Sequence, residues 1–341
     1  MRFTKGHVFS LLLVVLTAYF LSVYQLDYYI QRPGGADALN SIVEVSGGYD
    51  SSGDMHLVTV SGSQATPIQY LMAKILPHHD ILPLNQVRPH GISEEEYMEA
   101  QLEMMESSQE ASTVVAYQAA DGDINIDYEG IYVVSVLEGM PADGKLQTGD
   151  RIIGIDGREV RESTDLTSYV EKKEAGETVT LDVVRDGEQF KTELALEKFD
   201  QTDGGVGIGI SLVTDRSVEV DPDINFTSGR IGGPSAGLMF ALEIYDQLTE
   251  EDITRGYHIG GTGEIDYEGT VYRIGGIDKK VVASDREGID IFFAPHGNGA
   301  ERSNYEIAQE TAEEIGTDME IVPVDTFEDA LNFLKQLEPK G

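Results

Sequence analysis

The chain has no cysteine and is poor in positive charge. Without cysteine in its 341 residues it can form no disulfide, use no thiolate nucleophile and build no cysteine-ligated zinc or iron–sulfur centre. Its 24 Lys and Arg face 61 Asp and Glu, a formal net charge of −37. A surface of that sign repels nucleic acid and anionic lipid, so neither is expected to partner the bulk of the protein. A nucleotide is not expected either. Gly139-x4-Gly144-Lys145 copies most of a P-loop, but Leu146 stands where a magnesium-binding hydroxyl is required, and Pro141 removes an N–H from the stretch that would cradle phosphate. His78-His79-Asp80 lacks H-E-x-x-H spacing, so no metal and no cofactor are expected.

Long apolar runs are also scarce. The exception is Val8 to Tyr24, uncharged and preceded by Arg2 and Lys5. Seventeen residues sit at the short end of what crosses a bilayer, at ~17 to 25, and Tyr19, Tyr24, Tyr28 and Tyr29 suit its far interface. No clean small-x-small cleavage site stands directly after the apolar run, which favours a retained single-pass anchor over a signal peptide. Arg2 and Lys5 would then stay cytoplasmic, with everything beyond residue 30 outside the cytoplasm.

The remainder divides by pattern. Residues 31–38 (QRPGGADA) read as a juxtamembrane linker, and 41–46 and 55–60 as strands. Ile68 to Leu76 reads as a helix stopped by Pro77, and Glu94 to Glu110 as an acidic helix with a solvated charged face. From 115 to 200 short strands alternate, with a hairpin about Asp186-Gly187. From 201 to 341 the pattern is α+β, with a helix from Ser235 to Leu248 that is apolar almost all round and therefore buried.

Two motifs carry chemistry. Gly232-Gly233-Pro234-Ser235-Ala236-Gly237 sets a serine at a helix start. Proline suits that first turn, and the backbone of Gly233, Pro234 and Ala236 lies where orphan N–H groups and the helix dipole favour a developing oxyanion. A serine hydroxyl needs a base. Gly275-Gly276-Ile277-Asp278-Lys279-Lys280 offers two lysines among small and apolar neighbours. Burial can keep one of them neutral enough to serve. The two point about 100° apart on a helix, so only one faces inward, and spacing does not choose between them. Gly233-x-Ser235-x-Gly237 also fits the nucleophile elbow of α/β-hydrolases, with His258 or His296 as base. The run TSGRIGGP before the serine is poor strand material for that reading.

Two resemblances order these motifs. Gly130-Ile131-Tyr132-Val133, then Gly139-Met140-Pro141-Ala142, then Leu146-Gln147-Thr148-Gly149-Asp150-Arg151-Ile152 resemble a PDZ domain. This implies that 130–133 pair with an extended peptide whose C-terminal carboxylate is captured by backbone N–H groups. Gly233-Pro234-Ser235-Ala236-Gly237, Thr262-Gly263-Glu264, and Ile274-Gly275-Gly276 with Lys280 resemble the proteolytic domain of the Lon serine peptidases. That implies Ser235 as nucleophile, Lys280 as base and Thr262 as support to the lysine amine. The order of anchor, PDZ and Lon-type domain is similar to the membrane-anchored, PDZ-containing Lon-like proteases of Gram-positive bacteria.

The resulting expectation is an α+β chain with four parts: 1–30, cytoplasmic tip and anchor; 31–114, an extracytoplasmic segment; 115–200, a β-rich PDZ domain; and 201–341, a Lon-type domain. The second part has no separate identity. Its packing on the protease domain would make the PDZ an insertion rather than a preceding module. Expected function is ATP-independent serine endopeptidase action on flexible protein or peptide substrates, without nucleotide or nucleic acid, a homo-oligomer being left open. The alternative is an inactive membrane-anchored PDZ scaffold.

Overall fold

The computed structural model describes residues 5–88, 93–198, 205–297 and 302–340. The chain resolves into two compact units, 1–123 with 220–341, and 124–219.

In the first unit, α1 (Lys5–Val23) leads into β1 (Tyr28–Ala38), β2 (Asp54–Gln64), α2 (Pro67–Ala73), β3 (Asp80–Pro83) and the long α3 (Glu94–Ala119). At 19 residues and about 1.5 Å per residue, α1 matches the ~30 Å apolar layer of a bilayer. Its length and apolarity allow a membrane span. The stretch 31–38 is not a linker: it lies within β1, paired with β2 on one side and β3 on the other. Pro33, which suggested a break, sits where the β1–β2 register shifts before Ala36. Gly34 fills the irregularity, since a Cβ there would stand 2.5 Å from the Thr59 carbonyl oxygen.

The expected boundary at 114/115 falls inside α3, whose second half is buried from Ala111 to Tyr117. The helix starts on a reciprocal Ser93–Glu96 cap. Its acidic residues run from Glu94 to Glu110, exposed as far as Glu106. The Val114-Val115-Ala116-Tyr117 stretch makes the far end a core element.

The second unit holds β4 (Asp123–Val136), β5 (Arg151–Ile155), α4 (Ser163–Val170), β6 (Thr178–Arg185), β7 (Glu188–Ala195) and β8 (Ile210–Asp221). The strands are ordered β8-β4-β5-β6-β7. Asp186 and Gly187, both at positive φ, close the β6–β7 hairpin. Ile131, Val133, Ile152, Leu181 and Leu194 form a core with no exposed surface. Buried Asp150 accepts from Arg185 Nε at 2.6 Å and Nη2 at 2.7 Å. The compact unit runs past 200 because β8, the strand that completes its sheet, comes last in the chain.

The first unit resumes with α5 (Gly237–Leu248), β9 (His258–Gly261), α6 (Ile277–Arg286), β10 (Ile291–Pro295), α7 (Asn304–Ile315), β11 (Glu320–Val324) and α8 (Phe327–Lys335). Its sheet runs β11-β10-β9-β2-β1-β3, parallel from β11 to β2 and antiparallel beyond. Segments 200 residues apart thus share one sheet. α6 and α7 cover it through Ile277, Val281 and Ala308 against Val58, Phe292 and Ala294. α5 packs on α3 and the sheet and is buried from Gly237 to Asp246.

Candidate active site

The serine lies just before its helix, not in it. Residues 227–236 are turns and coil, and α5 begins at Gly237. No strand runs into Ser235, which removes the nucleophile elbow. His258 Nδ1 bonds Asp54 and His296 Nδ1 faces Asp325, so both histidines are engaged elsewhere. The turn is held by α3: Ser108 donates to the Pro234 carbonyl at 2.9 Å, and Ser112 to the Gly237 carbonyl at 2.8 Å. Sequence reasoning missed both serines. The small and apolar run that follows Gln109 was the signal that this face of α3 is buried.

Lysine 280 enters from α6. Gly276 caps that helix in the left-handed region at φ 71, and a Cβ there would meet Val60 Cγ2 at 2.9 Å. The tight start aims two successive lysines in different directions. Lys280 Nζ is 2.9 Å from Ser235 Oγ and 2.9 Å from Thr262 Oγ1. Lys279 Nζ instead pairs with Asp80 at 2.5 Å and Asp278 at 2.8 Å. Asp80, part of the His78-His79-Asp80 loop, is thus a lysine partner.

Thr262 follows β9 and has no exposed surface. It accepts from Lys280 and donates to the Ser235 carbonyl at 2.8 Å. The Gly263 N–H donates to the same carbonyl at 2.9 Å. One threonine thus ties the lysine amine to the backbone that carries the serine.

Burial lowers the Lys280 pKa from 10.5 to about 7, with desolvation of the ammonium as the cause. The Gly233 N–H, expected at the oxyanion, donates to the Gln101 carbonyl at 2.7 Å. Pro234 has no N–H and contributes only its fixed turn. A cleft of about 460 Å³ opens beside the serine, lined by Tyr29, Val60, Tyr97, Met98, Met105 and Lys280 among others.

If Thr262 orients the amine, Thr262→Val removes one of its two acceptors. A hydrogen bond to a charged or strongly polarised group is worth ~1.5 to 3 kcal/mol. The expected result is a kcat about tenfold to a hundredfold lower with KM little changed, and recovery in Thr262→Ser. Unchanged kcat in the valine variant would remove Thr262 from the machinery.

Donor atoms of Asp54, His56 and His258 lie within 4.8 Å of one another and could in principle hold a metal ion. The Asp54 carboxylate is within hydrogen-bond distance of both rings, and none of the three lines the serine cleft. The P-loop-like turn is also committed: the Gly139 N–H donates to Asp143 at 2.9 Å, and Lys145 Nζ to the Glu193 carbonyl at 2.6 Å.

In the second unit, Gly130, Ile131, Tyr132 and Val133 do not form an open edge. They lie in β4, with β8 and β5 as its two neighbours, and Ile131 and Val133 are core residues. A peptide can add only to a strand with unpaired backbone groups. In this sheet one such strand is β8, its terminal member. A cavity of about 190 Å³ lies between its start and α4, lined by Leu166, Val170, Ile208, Ile210 and Leu212. The terminal strand follows the sequence motif by some 80 residues, so the motif alone does not show that its own strand is paired on both sides.

Known proteins match in the same two places. The Lon protease (S16) C-terminal proteolytic domain matches residues 214–336, and the PDZ domain matches 98–196. The Lon protease of Mesomycoplasma hyopneumoniae is 35% identical over 102 residues, which is 30% of this chain and 11% of that protein. That of Escherichia coli is 31% identical over 109 residues, 32% of this chain and 13% of that protein. The chain thus spans only a small fraction of these relatives. The PDZ domain of the SdrC-like protein from Listeria monocytogenes is 34% identical, covering 26% of this chain and 93% of that domain, with a TM-score of 0.25. Ser235, Thr262 and Lys280 all fall within the first of these matches, and the chain carries a Lon protease C-terminal proteolytic domain together with a PDZ domain.

Proposed function

We propose that the protein is a serine endopeptidase working by a Ser235–Lys280 dyad. The observation that carries this reading is the 2.9 Å approach of a buried lysine amine to Ser235 Oγ. Neutral Lys280 takes the hydroxyl proton as Oγ attacks a peptide carbonyl. The backbone N–H groups of Ser235 and Ala236 steady the oxyanion, the Gly233 N–H being bonded to Gln101. Lys280 returns the proton to the leaving amine, and water then releases the acyl group by the same route. Thr262 holds the amine in line throughout.

The cleft favours substrates with apolar side chains, given Val60, Met98 and Met105 in its wall. A C-terminal peptide segment adds along β8 beside α4, which makes the PDZ domain a recruiting or gating element. ATP plays no part in this proposal, so substrates must already be flexible. α1 anchors the protein in the cell membrane with its remaining domains extracytoplasmic. A binding role alone leaves the buried lysine without purpose, since desolvating an ammonium destabilises the fold.

Covalent labelling tests the proposal. A serine-reactive sulfonyl fluoride should add at Ser235, located by peptide mass spectrometry, and Lys280→Ala should suppress the reaction. A label at a different serine, or undiminished labelling in the lysine variant, refutes the dyad.

A further inference from the structure

A helix at the margin of a water-soluble domain turns its apolar stripe inward. α2 and the turn after it do the reverse. Ile68, Leu71, Met72 and Ile75 follow the i, i+3, i+4, i+7 spacing of one helical face and are 43%, 58%, 52% and 83% exposed. The next residue, Leu76, is 40% exposed. The inward side is Ala73, packed with Ile30, Ala65, Leu26, Tyr70 and Ile81.

Charge marks the same stretch. Residues 55–79 contain no Asp or Glu, although the chain holds 61. Lys74 lies in the middle of the patch, its Nζ 4.7 Å from the Tyr70 ring centroid. Position marks it a third time. The Leu26 N–H donates to the Ala65 carbonyl at 2.8 Å and the Ala65 N–H to the Tyr28 carbonyl at 2.8 Å. Gln64 Nε2 donates to the Leu26 carbonyl at 2.9 Å, and α2 packs against α1. Two residues lie between Val23 and Leu26, so Leu26, which bonds Ala65 two residues before α2, is within about 11 Å of the end of α1. Tyr24, 54% exposed, stands at that exit.

We infer that α2 and the turn to Pro77 are seated in the interfacial layer of the bilayer that α1 crosses, as a second attachment of the catalytic unit. The inference rests on reading α1 as a span. An apolar stripe without acidic residues, with one lysine at headgroup level and tyrosines alongside, suits that layer. A second copy of the chain is a poorer occupant, because a net charge of −37 on each opposes close approach. Two attachments stop the unit from swivelling. Val60, in the wall of the cleft, lies on the strand that runs into α2, four residues or about 13 Å before Gln64. The cleft is thereby held near the membrane surface, and its substrates are flexible segments close to that surface.

The chain has no tryptophan, so single tryptophans report without background. Full-length protein is reconstituted in phosphatidylcholine vesicles with or without acyl-chain bromination. Ile75→Trp should lose most of its emission in brominated vesicles, as should Val14→Trp within α1. Tyr49→Trp should keep its emission: it precedes the far end of β2, 11 residues and about 35 Å from α2. Quenching at 14 but not at 75 overturns the second attachment alone. No quenching at 14 overturns the span and this inference with it. Equal quenching at 75 and 49 overturns the seating of α2.

Discussion

Ser235→Ala and Lys280→Ala should each reduce peptidase activity on an unfolded protein substrate by on the order of 10⁴-fold or more, and the double variant should be no worse than either single one. Groups that act as one unit fail together, so their losses do not add. Without the hydroxyl there is no acyl-enzyme. Without the amine, Ser235 has no base, since among the described residues Lys280 is the side chain that bonds its Oγ. Lys279 provides the control. It is as buried as Lys280 but salt-bridged to Asp80 and Asp278, so Lys279→Met should lower stability while kcat per folded molecule persists. Loss of turnover in Lys279→Met with retained turnover in Lys280→Ala would falsify the assignment. Additive losses in the double variant would mean that the two residues serve different steps.

Legibility in the sequence followed distance along the chain. Ser235 and the lysine pair stood out because each sits in a short stretch whose glycines or proline encode a local turn, whereas Thr262, and Lys280 over Lys279, were singled out only by the resemblance to the Lon proteolytic domain. Which lysine faces the serine was not readable from spacing alone, because adjacent helical residues differ only in direction. The left-handed start at Gly276, pressed on Val60, sets that direction. β1 was hidden by Pro33 and two glycines, residues that signal a turn locally but here sit at a register irregularity between two long-range partners. The support from Ser108 and Ser112 depends on contacts more than 120 residues away. That Gly130 to Val133 lie on a strand with neighbours on both sides was hidden for a similar reason. Strand pairing decides which strand is terminal, and β8 lies far from the motif that announces the domain.

The pKa of Lys280 gives activity and stability the same sign of pH dependence, in adjoining pH windows. Activity should climb about tenfold per pH unit below about 7 and level off above it, as the amine becomes neutral. For folding, the unfolded chain holds this proton up to about 10.5 and the folded chain releases it above about 7. The unfolded state therefore binds more protons between those values, and stability rises with pH across that window. The penalty is full below about 7 and gone above about 10.5. At about 1.4 kcal/mol per pKa unit it amounts to roughly 4 to 5 kcal/mol. Lys280→Met removes it, at the loss of two hydrogen bonds worth about 1 kcal/mol each. The variant should thus be inactive yet more stable than the parent at pH 7, by roughly 2 kcal/mol in denaturant unfolding of the catalytic unit. By pH 10 the advantage should vanish or reverse. A stability difference that stays constant from pH 7 to 10 would show that Lys280 is charged in the folded state, and a charged lysine cannot take the serine proton.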